Sequence, residues 1–148
     1  MKMRPSGNES GRPAYVLDDQ IGFILRQVSQ RHTSIFSGRI GFEVTPTQWA
    51  AMAKLHELGP TSQNELGRTT AMDVATIKGV VDHLTKRCLC RVDPDLNDAR
   101  RHRIALTPKG VALVEAHTDD ARAITEETLA PLSAKQRKVL RELLTKLK

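Results

Sequence analysis

The stretch from Thr61 to Leu106 constrains the fold more than any other part of this 148-residue chain. Two short helical patterns meet at a Thr69-Thr70 turn and run directly into two strand patterns joined by an Arg-tipped loop. The first helix begins at Thr61 or Ser62, where Ser62-x-x-Glu65 reads as a capping box. The second starts at the capping residue Asp73 and carries an inward row at Ile77, Val80 or Val81, Leu84 and Cys88, spaced three and four apart. Its opposite face holds Ala75, Thr76, Lys78, Gly79, Asp82, His83 and Lys86, small or polar groups suited to approach base edges in a major groove. After Arg87, Leu89 to Asp93 alternates as a strand, Pro94-Asp95-Leu96-Asn97-Asp98 is turn chemistry, and Arg103 to Leu106 reads as the returning strand. Arg100, Arg101 and Arg103 crowd the far end of this hairpin, and a long planar cation on a loop tip suits a narrow, negative minor groove. The order predicts a winged helix-turn-helix, mostly α with a small β-hairpin wing.

The flanking segments are helical. Residues 1–14 read as an arm whose Lys2, Arg4 and Arg12 either touch a phosphate backbone or remain solvated. From Leu17 to about Phe36, apolar residues at Leu17, Ile21, Ile24, Val28 and Ile35 mark a long helix with Asp18 and Asp19 at its N-terminus. Arg31 and His32 fall near that stripe, and polar groups on a buried stripe need partners. Residues 37–44 break the helix. Thr45-Pro46-Thr47-Gln48 then opens another, with Thr45 as cap, Pro46 in the first turn and Gln48 closing a capping box. Its expected stripe is Trp49, Met52 or Ala53, and His56, and it stops at Gly59-Pro60. Beyond the wing, Thr107 and Pro108 open a helix ending near Leu129-Ala130-Pro131. A last helix starts at Ser133 and is expected to bury Val139, Leu140, Leu143, Leu144 and Leu147.

Composition narrows the function. The net charge is +6, and Arg68 to Lys109 contains nine Lys or Arg against five Asp, which favours a polyanionic partner. One Trp, one Tyr and three Phe supply no stacking platform for single strands, so duplex DNA fits better. No apolar run suits a membrane span and no signal-peptide core opens the chain, so a cytoplasmic protein is expected. Asp93-x-Asp95-x-Asn97 resembles the opening of a calcium loop, but Asp98 stands where that loop needs Gly and Ile104 where it needs Glu. The five histidines lack metal-ligand spacing. No nucleophile motif or phosphate loop occurs, so neither an enzyme nor a cofactor is expected. Cys88 and Cys90 read as reduced packing residues. The alternative is a redox switch that moves the wing.

Five ordered motifs carry a family resemblance. Thr45-Pro46-Thr47-Gln48-Trp49, Gln63-Asn64-Glu65-Leu66-Gly67, Val80 to Leu89, Asp98-Ala99-Arg100-Arg101 and Leu106-Thr107-Pro108-Lys109-Gly110 together resemble the MarR family of bacterial regulators, from about Leu17 to the C-terminus. The resemblance implies that Asp98 orients the wing and Arg100 enters the minor groove; Thr76, Lys78 and His83 on the outward helix face, and Arg101 and Arg103 at the loop tip, are the further candidate DNA contacts. It departs from the family pattern at Gly79, where a long polar side chain is common, and at Cys88, where a helix-ending Gly is common. The resemblance also implies that residues 15–44 and 108–148 form dimerisation helices around a DNA-binding region at 45–107, so that a two-fold homodimer meets a pseudo-palindromic operator.

Arg31, His32, Trp49, Met52 and His56 are the candidate effector residues: a cation, imidazoles and a flat indole suit a small aromatic carboxylate. The competing assignment makes Trp49 and His32 core residues and pairs Arg31 with an acid. The runs Tyr15 to Phe23 and Gln30-Arg31-His32-Thr33 are similar to regulators of nicotinate breakdown within the family, which implies 6-hydroxynicotinate as effector and repression as the mode. A winged module that binds protein rather than DNA is the remaining alternative.

Overall fold

The computed structural model describes residues 11–98 and 100–148; most of the N-terminal arm, including Lys2 and Arg4, lies outside the described residues. A short 3-10 turn at Leu17–Asp19 precedes α1 (Ile21–Arg39), α2 (Pro46–Leu58), α3 (Gln63–Thr69) and α4 (Val74–Lys86). The hairpin β1 (Cys90–Pro94) and β2 (His102–Leu106) follows, then α5 (Pro108–Thr128) and α6 (Ala134–Lys146).

Local chemistry explains most of the boundaries. Thr45 and Gln48 form the expected reciprocal capping box before Pro46, Asp73 accepts the Thr76 amide at 2.7 Å, and Ser133 with Gln136 opens α6 in the same reciprocal way. The Thr76 amide also holds the Asp73 carboxyl below the usual carboxylate range. Ser62 caps α3, but the expected box is only half made, because the Glu65 carboxylate turns forward to Arg68. The first helix starts later than the apolar pattern suggests: Gln20 is extended, so Asp18 and Asp19 lie in the preceding turn and α1 has no acid in its first turn. It ends at Arg39, and just beyond it Gly41 lies so close to the last turn that a Cβ would stand 2.5 Å from Ser37 Cα.

The two turns flanking α4 are built alike. After α3, the Ala71 and Met72 amides return to the Arg68 and Gly67 carbonyls. After α4, those of Cys88 and Leu89 return to Thr85 and Leu84. Both are Schellman closures, which place one residue in the left-handed region. Here that residue is Ala71 (φ 55°) or Cys88 (φ 58°) rather than glycine. Cys88 therefore leaves the inward row assigned to it and is exposed, while the Leu84 and Leu89 side chains are buried on either side of the turn.

The core lies mainly within the helix-turn-helix and wing: Met52, Leu55, Leu66, Ile77, Val81, Leu84, Leu89 and Ile104. The α2 stripe is Gln48, Ala51, Met52 and Leu55. It is rotated from the expected one, leaving Trp49 half-buried and His56 exposed. The wing register pairs Cys90 with Leu106, Val92 with Ile104 and Pro94 with His102. Thr61 adds a third, one-residue strand, exchanging bonds of 2.9 and 2.7 Å with Ile104. Against expectation, α6 buries no residue within the chain. Its Val139, Leu143, Leu144 and Leu147 are exposed, as are Leu17, Ile21, Ile24 and Val28 near the N-terminus.

One contact joins the wing to the long helix α5. A Cβ on Gly110 would lie 2.1 Å from the Leu89 carbonyl oxygen. That carbonyl accepts the Thr107 amide at 3.1 Å, the Thr107 hydroxyl donates to the Cys88 carbonyl at 2.6 Å, and Lys109 Nζ reaches the Arg87 carbonyl at 3.1 Å. Gly110→Ala is expected to destabilise the fold by about 3 kcal/mol, the upper range for overpacking against immovable atoms. Cys88→Gly is expected to stabilise it by about 0.5–1 kcal/mol by relieving the left-handed strain. Urea unfolding at fixed protein concentration measures both.

Candidate nucleic-acid interface and a cavity beside α5

Helix α4 buries Ile77, Val80, Val81 and Leu84 and turns its other side to solvent. Gly67 lets it sit close against α3, since a Cβ there would meet Ile77 at 3.1 Å and the Met72 carbonyl at 3.2 Å. The outward face carries Thr76, Lys78, Gly79, Asp82 and His83, all exposed. Lys78 and Asp82 form an ion pair of 2.9 Å across one turn. No side chain stands near the open space at Gly79, so the middle of this face is shallow. Val74, 73% exposed at the first helical position, was not among the sequence candidates. An apolar side chain at the tip of such a helix is suited to a thymine methyl group.

The wing turn is organised by two aspartates. Asp98 accepts the Arg100 amide through its carboxylate at 3.0 Å and the Arg101 amide through its carbonyl at 2.9 Å. Asp95 accepts the Asn97 amide at 2.8 Å and receives Arg103 Nε at 3.2 Å. The Asn97 amide and then the Arg103 charge hold the Asp95 carboxyl below its ordinary value. Arg103 thus braces the base of the loop. Arg100 is 94% exposed, 3.6 Å from Asp98, and Arg101 lines a groove shared with Gln63, Asn64 and Arg68 of α3. The cations at this end offer their donors to a polyanion at little desolvation penalty.

The five candidate effector residues separate. His32 and Trp49 line one cavity of about 180 Å³ with Phe36, Pro46, Ala121, Ile124 and Thr125. Arg31 instead closes the end of α5, donating to the Thr128 and Glu127 carbonyls at 2.6 and 2.9 Å. Met52 is wholly buried in the core. His56 lies on the surface, 3.6 Å from Glu115. Sequence reasoning missed the α5 wall of the cavity, and only the spacing of Ala121 and Thr125, four apart on one helix, hints at it. A cavity of ~150 Å³ accommodates a benzene ring, so one substituted ring is the matching size.

Cys90 is buried, and burial pushes its thiol up to about 11, which suppresses the thiolate that oxidation requires. Among the described residues, no group of three or more His, Cys, Asp and Glu side chains is disposed to hold a metal, and no helix is long and apolar enough to cross a membrane.

Known proteins share this arrangement. The MarR family profile matches residues 44–102. The HTH-type transcriptional repressor NicR of Pseudomonas putida is 37% identical over 147 residues, covering 99% of this chain and 93% of that protein. A probable transcriptional regulator from Pseudomonas aeruginosa, known from its crystal structure, is 52% identical, with a TM-score of 0.85 over 90% of this chain and 100% of that one. Bordetella bronchiseptica BpsR, solved in a study of how 6-hydroxynicotinic acid regulates its DNA binding, is 35% identical, with a TM-score of 0.87 over 90% of this chain and 96% of that one. The profile match across the DNA-binding region, the nearly full-length likeness to NicR and the shared fold lead to one assignment: the chain belongs to the MarR family of transcriptional regulators, not to an enzyme family.

Proposed function

We propose that this regulator is a homodimeric repressor that binds a pseudo-palindromic operator through α4 and the wing, and that a small aromatic carboxylate, 6-hydroxynicotinic acid or a close relative, releases it. The observation that carries the reading is the continuity of α5. Its first turn is locked to the end of α4 and to the wing through Thr107 and Gly110, and its later turns wall the cavity. A ligand that displaces α5 therefore moves the DNA-reading elements. NicR is a repressor and BpsR responds to 6-hydroxynicotinic acid, which supports both the mode and the ligand class.

The exposed apolar residues of α6 and the N-terminal segment suit a two-fold contact with a second copy, which presents two α4 helices to half-sites about one helical turn apart. The ligand acts by favouring a dimer whose α4 spacing no longer matches successive major grooves, and only that difference in affinity shifts DNA occupancy. Such a protein works in the cytoplasm, where the operator is.

Fluorescence anisotropy with DNA from upstream of the protein's own gene tests the reading. Specific, salt-sensitive binding that 6-hydroxynicotinic acid reverses is expected. Binding indifferent to the acid would remove it as the effector, and absence of specific binding would overturn the repressor assignment. Arg100→Ala is expected to weaken operator binding and reduce the slope of log affinity against log salt by about one, since one phosphate is no longer neutralised; an unchanged isotherm at every salt concentration would exclude the wing tip. Trp49→Ala is expected to raise the acid concentration needed for release about tenfold, the order of magnitude of one aromatic pairing. Unaltered sensitivity would take Trp49 out of the site.

A further inference from the structure

His32 Nδ1 lies 2.8 Å from Thr128 Oγ1, and the same oxygen lies 2.8 Å from the Ile124 carbonyl. A carbonyl can only accept, so the single hydroxyl proton of Thr128 is directed at Ile124, and Oγ1 receives the proton of the second bond from Nδ1. This fixes the tautomer. The neutral ring carries its proton on Nδ1 and its lone pair on Nε2, and Nε2 makes no hydrogen bond among the described residues. The remaining cavity walls are Phe36, Pro46, Trp49, Ala121, Ile124 and Thr125, none of them charged.

The charges around the imidazole are already engaged. From α1, Arg31 is committed to the Thr128 and Glu127 carbonyls, and Arg39 lies 3.1 Å from the Glu127 carboxylate; the other acid in the last turn of α5, Glu126, is held by Arg137 of α6 at 2.6 Å. From α2, the cavity receives Pro46 and Trp49 and no charge. Thr128 is the last residue of α5, so the ring lies against the C-terminal end of that helix.

We propose that the cavity takes a single-ring carboxylate and that His32 binds it as an imidazolium through Nε2–H, so that above the imidazole range ligand entry draws one proton from solvent. This rests on the effector reading given above. Protonation leaves Nδ1–H on Thr128 and converts Nε2 from acceptor to donor without a ring flip. The resulting charge-assisted bond supplies the cation that the other walls lack.

Titration calorimetry of the intact protein with 6-hydroxynicotinic acid, in phosphate and in Tris near pH ~8, reads the proton directly, because imidazole ordinarily titrates near ~6.5. Uptake approaching about one proton per site is expected, with affinity falling up to about tenfold per pH unit above the imidazole range. The neutral probe 6-hydroxynicotinamide is expected to show neither effect. His32→Gln keeps an N–H donor but cannot charge; it is expected to abolish the uptake and to weaken acid binding about ten- to hundredfold. Tight acid binding without proton uptake and with pH-independent affinity would overturn the proposal while leaving the effector reading intact, since another cation would then meet the carboxylate. No acid binding at pH ~6 or ~8 would overturn both.

Discussion

The approach of Gly110 to the Leu89 carbonyl is the contact on which the rest of the arrangement depends. A side chain at position 110 would fall inside that carbonyl's van der Waals envelope, so the start of α5 can lie against the turn that ends α4 only because the position is glycine. With the gap closed, Thr107 serves two purposes at once. Its hydroxyl accepts the Gly110 amide as the α5 cap and donates to the Cys88 carbonyl. The end of α4, the root of the wing and the start of α5 are thereby bonded directly to one another, with no linker between them.

The opposite end of α5 is held differently. There Arg31 supplies donors to carbonyls that the helix leaves unsatisfied, His32 meets Thr128, and Arg39 meets Glu127. These bonds are directional and partly exposed, and their partners can shift by small distances without opening a void, unlike the close-packed junction at Gly110. The cavity thus lies beside the end of α5 that directional bonds hold, and the close-packed joint lies at its other end. The uncharged cavity wall beside His32 also means that whatever binds there changes the local charge balance by its own chemistry.

On the DNA-facing side, electrostatics divides the arginines by role. Asp95 takes Arg103 across the base of the loop; Asp93 takes Arg91 at 2.7 Å along β1, and Arg91 also donates across the hairpin to the Leu106 carbonyl at 3.2 Å. Arg100, in the turn between β1 and β2, remains almost fully exposed. Exposed ion pairs contribute little to stability, so their value here lies in geometry: Arg103 braces the base of the loop that presents Arg100 and Arg101. Gly79 leaves the exposed face of α4 shallow, and Val74 stands exposed in its first turn.

The elements and their order were legible in the chain alone. Helix caps at Thr45, Ser62, Asp73, Thr107 and Ser133 depend on a side chain reaching an amide two or three residues away, and the hairpin depends on alternation and turn chemistry; both are local. Winged-helix identity followed from that order and from the motifs spread along it. Which faces are buried and which residues meet came instead from packing between distant segments. The α2 stripe turned to Gln48, Ala51 and Leu55 because the α3–α4 unit and the wing, not α2's own pattern, choose the buried side. Cys88 was sent outward by the left-handed closure of its helix. His32 and Trp49 were brought to one cavity and Arg31, Met52 and His56 kept from it, because the wall opposite comes from α5, far along the sequence from α1. Periodicity reports the direction of a side chain relative to its own helix axis, but a cavity is defined by how several axes cross, and no local pattern encodes that crossing.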